Sequence, residues 1–487
     1  MRIIPLMLLL ALTSGACASS PAAAVVAAHR DAAALPVQSR LHVRYLSLHA
    51  IPADRRKEFL QTLNFHVNGL SREAELALVR PIGPDLVALQ WPDYGWEPGV
   101  WERLAGADPY FHQKIKLASD TVLRTVWPGG KQAGEEFAPG IYREPRKAGS
   151  LVDAAAPWLP AREIEELRHW TLSEAPVLRA DWFLVQTSIQ KDRVAGYYDW
   201  LGLGTKEADF DRLIGANQKE SRRLKREVAA IIARSGVTIR NRSILRLQSI
   251  TGGYWITQDF QKSVDRQNVI RLLDGDLDPP GGDASERYGV LPNGLFAFWL
   301  QDGKGVRQDA APDFIASDHQ TAGNDRRIHI GKNCITCHLE GLRPLDDYAR
   351  KLYRGEIKLT TPDYARYLRL RQLYLSDLEG WLARDRQDYS TALARVTGGM
   401  KPAELARAYS RSWDNYVEVD LLPADLAREL GVQEKTLVAT FKAYAQAKGS
   451  IDPVLAAVIQ TPPLPVLRDH WEEVYPVAQE ILLGAKR

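Results

Sequence analysis

The stretch Gly331-Lys332-Asn333-Cys334-Ile335-Thr336-Cys337-His338 brings two thiols and an imidazole together within five consecutive residues. Cys334 and Cys337 are three positions apart, so one helical turn would present both sulfurs on the same face. His338 follows the second thiol directly. This C-x-x-C-H order is the attachment motif of c-type haem, in which the thiols bond the two vinyl groups of one porphyrin and the histidine ligates the iron. We therefore expect one covalent haem c, held by Cys334 and Cys337, with His338 as the proximal iron ligand.

Two other chemistries use paired thiols at this spacing, and both suit this sequence less well. A redox-active dithiol of the thioredoxin kind requires a βαβ setting, whereas the residues after the motif predict helices almost throughout. A zinc site requires four ligands in closed tetrahedral geometry, and the chain has only three cysteines. The thiol pair therefore favours haem over a dithiol or half of a zinc site.

The amino-terminal residues predict export from the cytoplasm. Arg2 precedes an apolar run, Ile3–Leu12, that is too short to span a bilayer and is followed by the small residues Ser14–Ala18. Cleavage after Ala18 would release a soluble protein. Alternatively, the signal ends at residue 16 and Cys17 carries a lipid, because the residues before Cys17 resemble a bacterial lipobox. Both alternatives predict a protein in the periplasm, or a lipoprotein that faces the periplasm or the cell exterior.

Composition limits the partners and the architecture. The chain of 487 residues exceeds what one domain normally holds, so we expect more than one unit. The 63 basic and 60 acidic side chains give a net charge of +3, which provides no strong field for nucleic acid. No apolar run after the signal is long enough to span a membrane. We therefore expect a periplasmic redox protein as partner, no nucleic acid, and membrane attachment only through the amino terminus.

Local patterns divide the chain into three parts after a signal peptide of residues 1–18. Residues 19–40 are rich in alanine and predict a tether. Residues 41–310 mix strand and helix patterns and predict an α+β domain of unknown role. Residues 311–487 contain the haem motif and predict a haem domain. The fold class that we expect is an α+β amino-terminal region followed by a mainly α-helical, cytochrome c-like carboxyl-terminal domain.

Several helix boundaries can be predicted from proline and glycine. A helix over Glu207–Arg234 should end where Ser-Gly follows it. Another, beginning at Thr361, should be stopped by Gly398-Gly399. Proline at the first helical position then predicts helices after Pro402 and around Pro423.

The second axial ligand of the iron is less sharply defined. Met400 is the one methionine outside the signal segment and lies in the glycine-rich loop of residues 397–402. A methionine opposite the histidine raises the potential and suits electron transfer. His329 is the alternative, although it would have to fold back over the ring. His319 and Tyr364 are remoter candidates, and an open sixth position is also compatible with the sequence.

Beyond the haem motif, the chain resembles a family of uncharacterised, exported bacterial proteins, familiar from planctomycete genomes, that carry a single c-type haem near the carboxyl terminus. The matching stretches span residues 41–431 and are Arg44–Leu48, Arg179–Phe183, Ser235–Val237 with Asn241-Arg242, Leu291–Leu295 and the approach to Cys334. Members often carry Met shortly after the haem motif, as in Gly-Met-x-Pro. Leu342 stands at that position here, so no ligand role transfers to it and Met400 becomes the more attractive candidate. The resemblance implies export and haem, but no particular reaction.

These observations favour one-electron transfer between periplasmic redox partners, with the iron alternating between its ferrous and ferric states. The alternatives are a haem enzyme of the peroxidase or oxidase kind and a haem-based sensor, both with an open or weakly held sixth position. An electron carrier fits the sequence better than a catalyst. The three functions differ at the sixth ligand.

Overall fold

The computed structural model describes most of the chain between residues 20 and 485. The described residues are 20–116, 122–126, 131–132, 135–136, 140–144, 151–224, 226–232, 242–260, 282–311, 327–354, 374 and 377–485. The expected signal segment with Cys17 lies outside these ranges, as do the remoter ligand candidates His319 and Tyr364.

Helices and strands alternate through the first two-thirds of the described chain, and the last third is helical. The helices are α1 (Pro21–Ala34), α2 (Val37–Arg40), α3 (Arg56–Gly69), α4 (Pro98–Ala105), α5 (Ala161–Thr171), α6 (Ala180–Ser188), α7 (Tyr197–Trp200), α8 (Glu207–Leu213), α9 (Gln218–Arg223), α10 (Lys332–His338), α11 (Tyr348–Tyr353), α12 (Leu378–Thr397), α13 (Pro402–Val417), α14 (Pro423–Leu430), α15 (Glu434–Lys448), α16 (Pro453–Ile459) and α17 (Arg468–Gly484). The strands are β1 (Val43–Ser47), β2 (Arg80–Pro81), β3 (Leu86–Gln90), β4 (His112–Lys116), β5 (Val122–Val126), β6 (Lys131–Gln132), β7 (Glu135–Glu136), β8 (Gly140–Glu144), β9 (Leu151–Ala155), β10 (Val177–Arg179), β11 (Val228–Ile232), β12 (Arg242–Gln248), β13 (Gly253–Asp259), β14 (Ala284–Val290) and β15 (Phe296–Asp302). Of the described helices, none is both long and apolar enough to cross a membrane.

Residues 21–34 fold as the helix α1, so the prediction of a tether over residues 19–40 is wrong. The hydroxyl of Ser20 caps the helix by accepting the N–H of Ala23 at 3.1 Å. The residues Ala24, Val25, Ala28 and Ala32 are each at most 3% exposed. They pack α1 against α5, β1 and β3. An alanine-rich segment has the composition of a linker, but alanine is also the strongest helix former. Here the helix forms because one of its faces packs against α5, β1 and β3.

A four-stranded sheet lies against α1, in the order β10-β1-β3-β2. The strand β1 pairs in parallel with β10 and antiparallel with β3. All five residues of β1 are buried, because α1 and α6 both pack on it. This sheet organises the amino-terminal part of the core.

Five antiparallel strands form a second sheet, in the order β11-β12-β13-β14-β15. The register places Arg246, Trp255, Tyr288 and Phe298 side by side across four strands, so their side chains share one face. The helices α10 and α12 lie against this face, through contacts described below. The sheet therefore forms one wall of the region around the C-x-x-C-H motif.

The outer edge of β15 is satisfied partly by side chains and partly by the backbone of residues 306–308. The N–H of Phe298 donates to the hydroxyl of Tyr197 at 3.0 Å, and the N–H of Leu300 donates to that of Tyr198 at 2.9 Å. An uncovered strand edge invites pairing with other chains. Helix α7 thus closes this edge and fixes its own position on the sheet.

The described residues on both sides of residue 310 share one hydrophobic core. Helices α12 and α13 pack on α3, and α13 also packs on α6. The hydroxyls of Ser188 and Tyr409 lie 2.8 Å apart across this contact. The domain boundary expected at 310/311 therefore does not separate two hydrophobic cores, because α12 and α13 pack on the amino-terminal helices α3 and α6.

The helix predicted over Glu207–Arg234 is present only in part. Helices α8 and α9 occupy its first half, after which residues 228–232 form β11 with all five residues buried. A short apolar run cannot be assigned to helix or strand by periodicity alone. Antiparallel pairing with β12 decides the outcome here.

Candidate haem site

Helix α10 carries the whole C-x-x-C-H motif, and a glycine sets its start. Gly331 has a φ of 84°, a conformation that favours glycine, and a Cβ at this position would collide with the carbonyl oxygen of Ser188. The carbonyl of Gly331 accepts the N–H of Ile335 at 2.7 Å, which begins the helix. The ammonium of Lys332 lies 4.6 Å from the ring centre of Trp413. Helix α10 is thus held between α6 and α13.

The two thiols of α10 have different surroundings, and they are not joined in a disulfide. Cys334 is 2% exposed. Burial, and secondly the negative charge of Glu286, raise the pKa of its thiol well above the ordinary value. Cys337 is partly exposed and lines an open cavity. Both residues therefore retain the thiol that a thioether bond to a porphyrin requires.

His338, the last residue of α10, lies against the second sheet. Its ring centre is 5.2 Å from that of Tyr288 and 5.8 Å from that of Phe298. Its Nδ1 atom is buried and has no hydrogen-bond partner among the described residues. Burial lowers the pKa of the imidazole; Glu286 opposes this shift and Arg343 adds to it. A neutral imidazole is the form of histidine that ligates a metal.

An open cavity of about 440 Å³ lies beside Cys337. The residues that line it are Thr336, Cys337, Glu340, Gly341, Leu342, Arg343, Pro344, Arg386 and Ala406. A second cavity of about 370 Å³ adjoins it, because Pro344 and Arg386 line both. These volumes are within the range of small-molecule sites. Cys337 therefore borders space of ligand size.

Aromatic side chains form the wall behind His338. The ring of Tyr288 lies 6.1 Å from that of Trp255, with the two planes 9° apart. The ring of Phe296 stacks on Tyr389 of α12 at 4.1 Å. An apolar surround of this kind controls the access of solvent to a metal site and so affects its redox potential.

The donor set fits a covalently attached haem better than a metal ion held by the protein alone. In the described part of the chain, no group of three or more His, Cys, Asp or Glu side chains is arranged to hold a metal ion. A structural zinc takes all four ligands from the chain, whereas a haem iron takes only its axial ligands from it. The two thiols and His338, whose Nδ1 has no partner among the described residues, provide what a covalently attached haem requires of the protein.

The two candidates for the distal ligand do not belong to the described lining of the cavity beside Cys337. Met400 is partly buried in the turn between α12 and α13, where it packs against the core. His329 is 8% exposed and donates its backbone N–H to the side-chain oxygen of Asn333 at 2.8 Å. It thus lies at the start of α10, the helix that also carries the proximal candidate. A ligand role for either residue stays a prediction.

Two charged residues beside the motif escape prediction from sequence. Arg242 pairs with Asp259 at 2.6 Å and with Glu286 at 3.4 Å. Glu286 lies two residues before Tyr288 on β14, so both face α10. From sequence alone, a single glutamate in a strand pattern is expected to face the solvent. Only the sheet register brings Glu286 next to Cys334.

A third residue close to the motif is His66 of α3, which is 1% exposed. Its Nε2 atom lies 2.6 Å from the hydroxyl of Thr187, and its Nδ1 atom lies 3.3 Å from that of Tyr409. Burial lowers its pKa to about 3. It borders a cavity of only about 10 Å³ together with Ile335 and Phe298. His66 is therefore a neutral, hydrogen-bonded core histidine close to α10.

No protein-family model matches this sequence, and neither curated proteins nor solved structures give a match. The assignment of a haem site therefore depends on the residues of α10 and their surroundings.

Proposed function

We propose that this protein is an exported monohaem c-type cytochrome that passes one electron at a time between periplasmic redox partners. One observation carries the proposal: α10 presents two thiols and then His338, whose buried Nδ1 has no partner among the described residues. When bound, the haem supplies an iron that exchanges one electron between its ferrous and ferric states. The resemblance to exported haem proteins supports export and haem attachment, but no particular reaction.

Each residue of the motif has a separate role in this proposal. Cys334 and Cys337 hold the porphyrin covalently, so that it stays bound in either redox state. His338 would ligate the iron through its neutral imidazole, and Met400 is the candidate for a second ligand from the protein. The aromatic wall that includes Tyr288 limits the access of water to the imidazole.

The proposed location is the periplasm, or the outer face of a membrane if Cys17 carries a lipid. The apolar run Ile3–Leu12 followed by small residues supports export. Cytochromes with covalent haem are assembled outside the cytoplasm, so the haem motif supports the same compartment.

A second candidate function is a haem enzyme or sensor that binds a small molecule at an open sixth position. The observation in its favour is the open cavity of about 440 Å³ beside Cys337, which is within the range of small-molecule sites. A sixth position without a strong protein ligand would let the iron bind oxygen, peroxide or carbon monoxide.

Carbon monoxide titration distinguishes the two functions. The full chain is expressed with its signal in a host that attaches haem c, and the ferrous protein is titrated in solution. We expect a low-spin spectrum that carbon monoxide leaves unchanged at concentrations that saturate an open haem. A high-spin spectrum with ready binding would contradict electron transfer as the main function and favour the enzyme or sensor.

A further inference from the structure

A continuous row of side-chain contacts leads away from His338 across the second sheet. The ring of Tyr288 lies 5.2 Å from the ring of His338. The ring of Trp255 follows at 6.1 Å, nearly parallel to Tyr288. These two aromatic rings therefore lie next to each other, starting from the proposed iron ligand.

The row continues through a buried ion pair to helix α12. The indole N–H of Trp255 donates to the carboxylate of Asp385 at 2.8 Å. The guanidinium of Arg246 donates to the same carboxylate at 2.9 and 3.1 Å. These two charged side chains are 2% and 5% exposed, and their opposite charges compensate each other in the interior.

The row ends at the surface. The guanidinium carbon of Arg246 lies 3.9 Å from the ring centre of Trp381, and that of Arg384 lies 4.6 Å from the same ring. Trp381 is partly exposed and Arg384 is exposed. Trp381 is thus an indole at the surface that is connected by contact to the wall of the proposed haem site.

Regular secondary structure fixes this arrangement. Tyr288, Trp255 and Arg246 are direct cross-strand neighbours on three adjacent strands. Trp381 and Asp385 are four residues apart on α12, so they lie on one face of the helix. Their relative positions therefore do not depend on a loop.

We propose that Trp381 is the point at which electrons enter and leave the haem, through the row Tyr288, Trp255, Arg246 and Asp385. The inference rests on the proposed function. One electron would pass from the ferrous haem, leaving it ferric, to a one-electron acceptor protein bound at Trp381, which would be reduced. The electron tunnels through the side chains, none of which is oxidised, and no proton moves. Closely packed groups favour tunnelling because its rate falls steeply across gaps.

The partner that fits this surface is a protein that binds briefly. Tryptophan and arginine are the residues most enriched at the energetic centres of interfaces, and electron-transfer complexes bury little area. The aromatic cluster around Trp96, Trp101 and Trp200 does not reach the surface and so offers no comparable route for electrons. Trp96, Trp101 and Trp200 are at most 2% exposed, so that cluster ends inside the protein.

A photochemical label at the proposed exit tests the route in the haem-loaded protein. Arg384→Cys is labelled with a ruthenium polypyridyl complex, and the rate of electron transfer between label and haem is measured after a laser flash. Substitution of the partly exposed ring, Trp381→Leu, should slow the transfer several-fold. Tyr288→Leu should also slow it, whereas Tyr288→Phe, which keeps the ring, should retain the original rate.

A second label position provides the matched control. Lys442→Cys lies on the exposed face of α15, and its rate should not change with Trp381→Leu. Equal rates from the label at position 384 in all variants that keep haem and its spectrum would overturn the route and leave the proposed function intact. Absence of covalent haem from the unsubstituted protein would overturn the proposed function itself.

Discussion

Arg179 and Glu429 form an ion pair in the interior, with Nη1 and Nη2 of the arginine 2.5 and 2.8 Å from the carboxylate oxygens. Glu429 also accepts hydrogen bonds from Arg468 at 2.9 Å and from the indole of Trp471 at 2.9 Å. Burial alone would raise the pKa of Glu429, but the two guanidinium groups outweigh it and hold the pKa well below its ordinary value. The pair joins β10 of the first sheet to α14, so it connects the amino-terminal and carboxyl-terminal parts of the chain.

Glu429→Gln should strongly destabilise the protein. The substitution removes the buried carboxylate that pairs with Arg468 and Arg179, of which Arg179 keeps a second partner in Asp181. Breaking a buried ion pair in this way costs about 3–5 kcal/mol. Urea denaturation at neutral pH measures the change in the free energy of unfolding. The exposed Glu434 provides the control, since Glu434→Gln should have an effect within about 0.5 kcal/mol.

The effect of Glu429→Gln should also depend on pH. A carboxylate whose pKa is depressed by folding stabilises the protein above its unfolded pKa of about 4.3, and this contribution is lost as the pH falls below that value. The difference in the free energy of unfolding between wild type and variant should therefore become smaller in acid. A variant as stable as wild type at pH 7 would contradict the role of the pair.

The packing of α1 predicts that its buried face tolerates no charge. Ala28 is 0% exposed, so Ala28→Asp would bury an unpaired carboxylate and should cost several kcal/mol, on the order of the penalty for isolated buried charges. Ala23→Asp, on the exposed side of the same helix, is the matched control. Thermal unfolding of both variants tests the prediction, which fails if they melt at the same temperature.

His66 predicts a loss of stability in weak acid. Folding lowers its pKa from 6.5 to about 3, so below pH 6.5 the unfolded chain binds a proton that the native state excludes. The free energy of unfolding therefore falls with pH, by about 2 kcal/mol between pH 6.5 and 5 from this residue alone. Comparison of wild type with His66→Gln by urea denaturation at several pH values isolates this slope.

The control for this slope is His470→Gln, because His470 is exposed and its removal should leave the wild-type pH dependence in place. If His66→Gln retains the full wild-type slope between pH 6.5 and 5, His66 is not the source of the acid sensitivity.

Met400→Ala tests the proposed distal ligand. If Met400 ligates the iron, the ferric protein should show the charge-transfer band of a methionine–iron bond, and the variant should lose that band and have a lower reduction potential. Absorption spectra and redox titration of the haem-loaded proteins provide both readouts. The variant Leu342→Ala, at a residue that lines the cavity beside Cys337, should keep the band. A wild-type spectrum without the band would remove Met400 from the site.

Signals that act locally could be predicted from the sequence. The helix end at Gly398 and the helix starts at Pro402 and Pro423 are confirmed, because a left-handed glycine and a proline in the first turn act within a few residues. The helix that ends at Gly398 begins at Leu378, and the start predicted at Thr361 lies outside the described residues. The helical conformation of the C-x-x-C-H motif follows from the same kind of local spacing.

Features that depend on distant contacts could not be predicted. Residues 228–232 become a strand only because β12 offers an edge to pair with, and α1 is a packed helix only because a sheet lies beneath it. The approach of Glu286 to Cys334 and of Asp385 to Trp255 depends on the register of five strands. The spacing of residues along the sequence does not indicate which distant residues will be in contact. The C-x-x-C-H motif could therefore be predicted from the sequence, but the residues that surround it could not.

Covalent attachment of haem is the central claim, and the intact mass of the exported protein tests it most directly. The protein is produced in a host that attaches haem c, and its mass and pyridine haemochrome spectrum are measured with those of Cys334→Ser, Cys337→Ser and Cys17→Ser. We predict one haem per chain with two thioether bonds, a spectrum shifted toward a single thioether in each motif variant, and full attachment in Cys17→Ser. A wild-type mass equal to that of the bare polypeptide, with no haem retained after denaturation, would contradict the account.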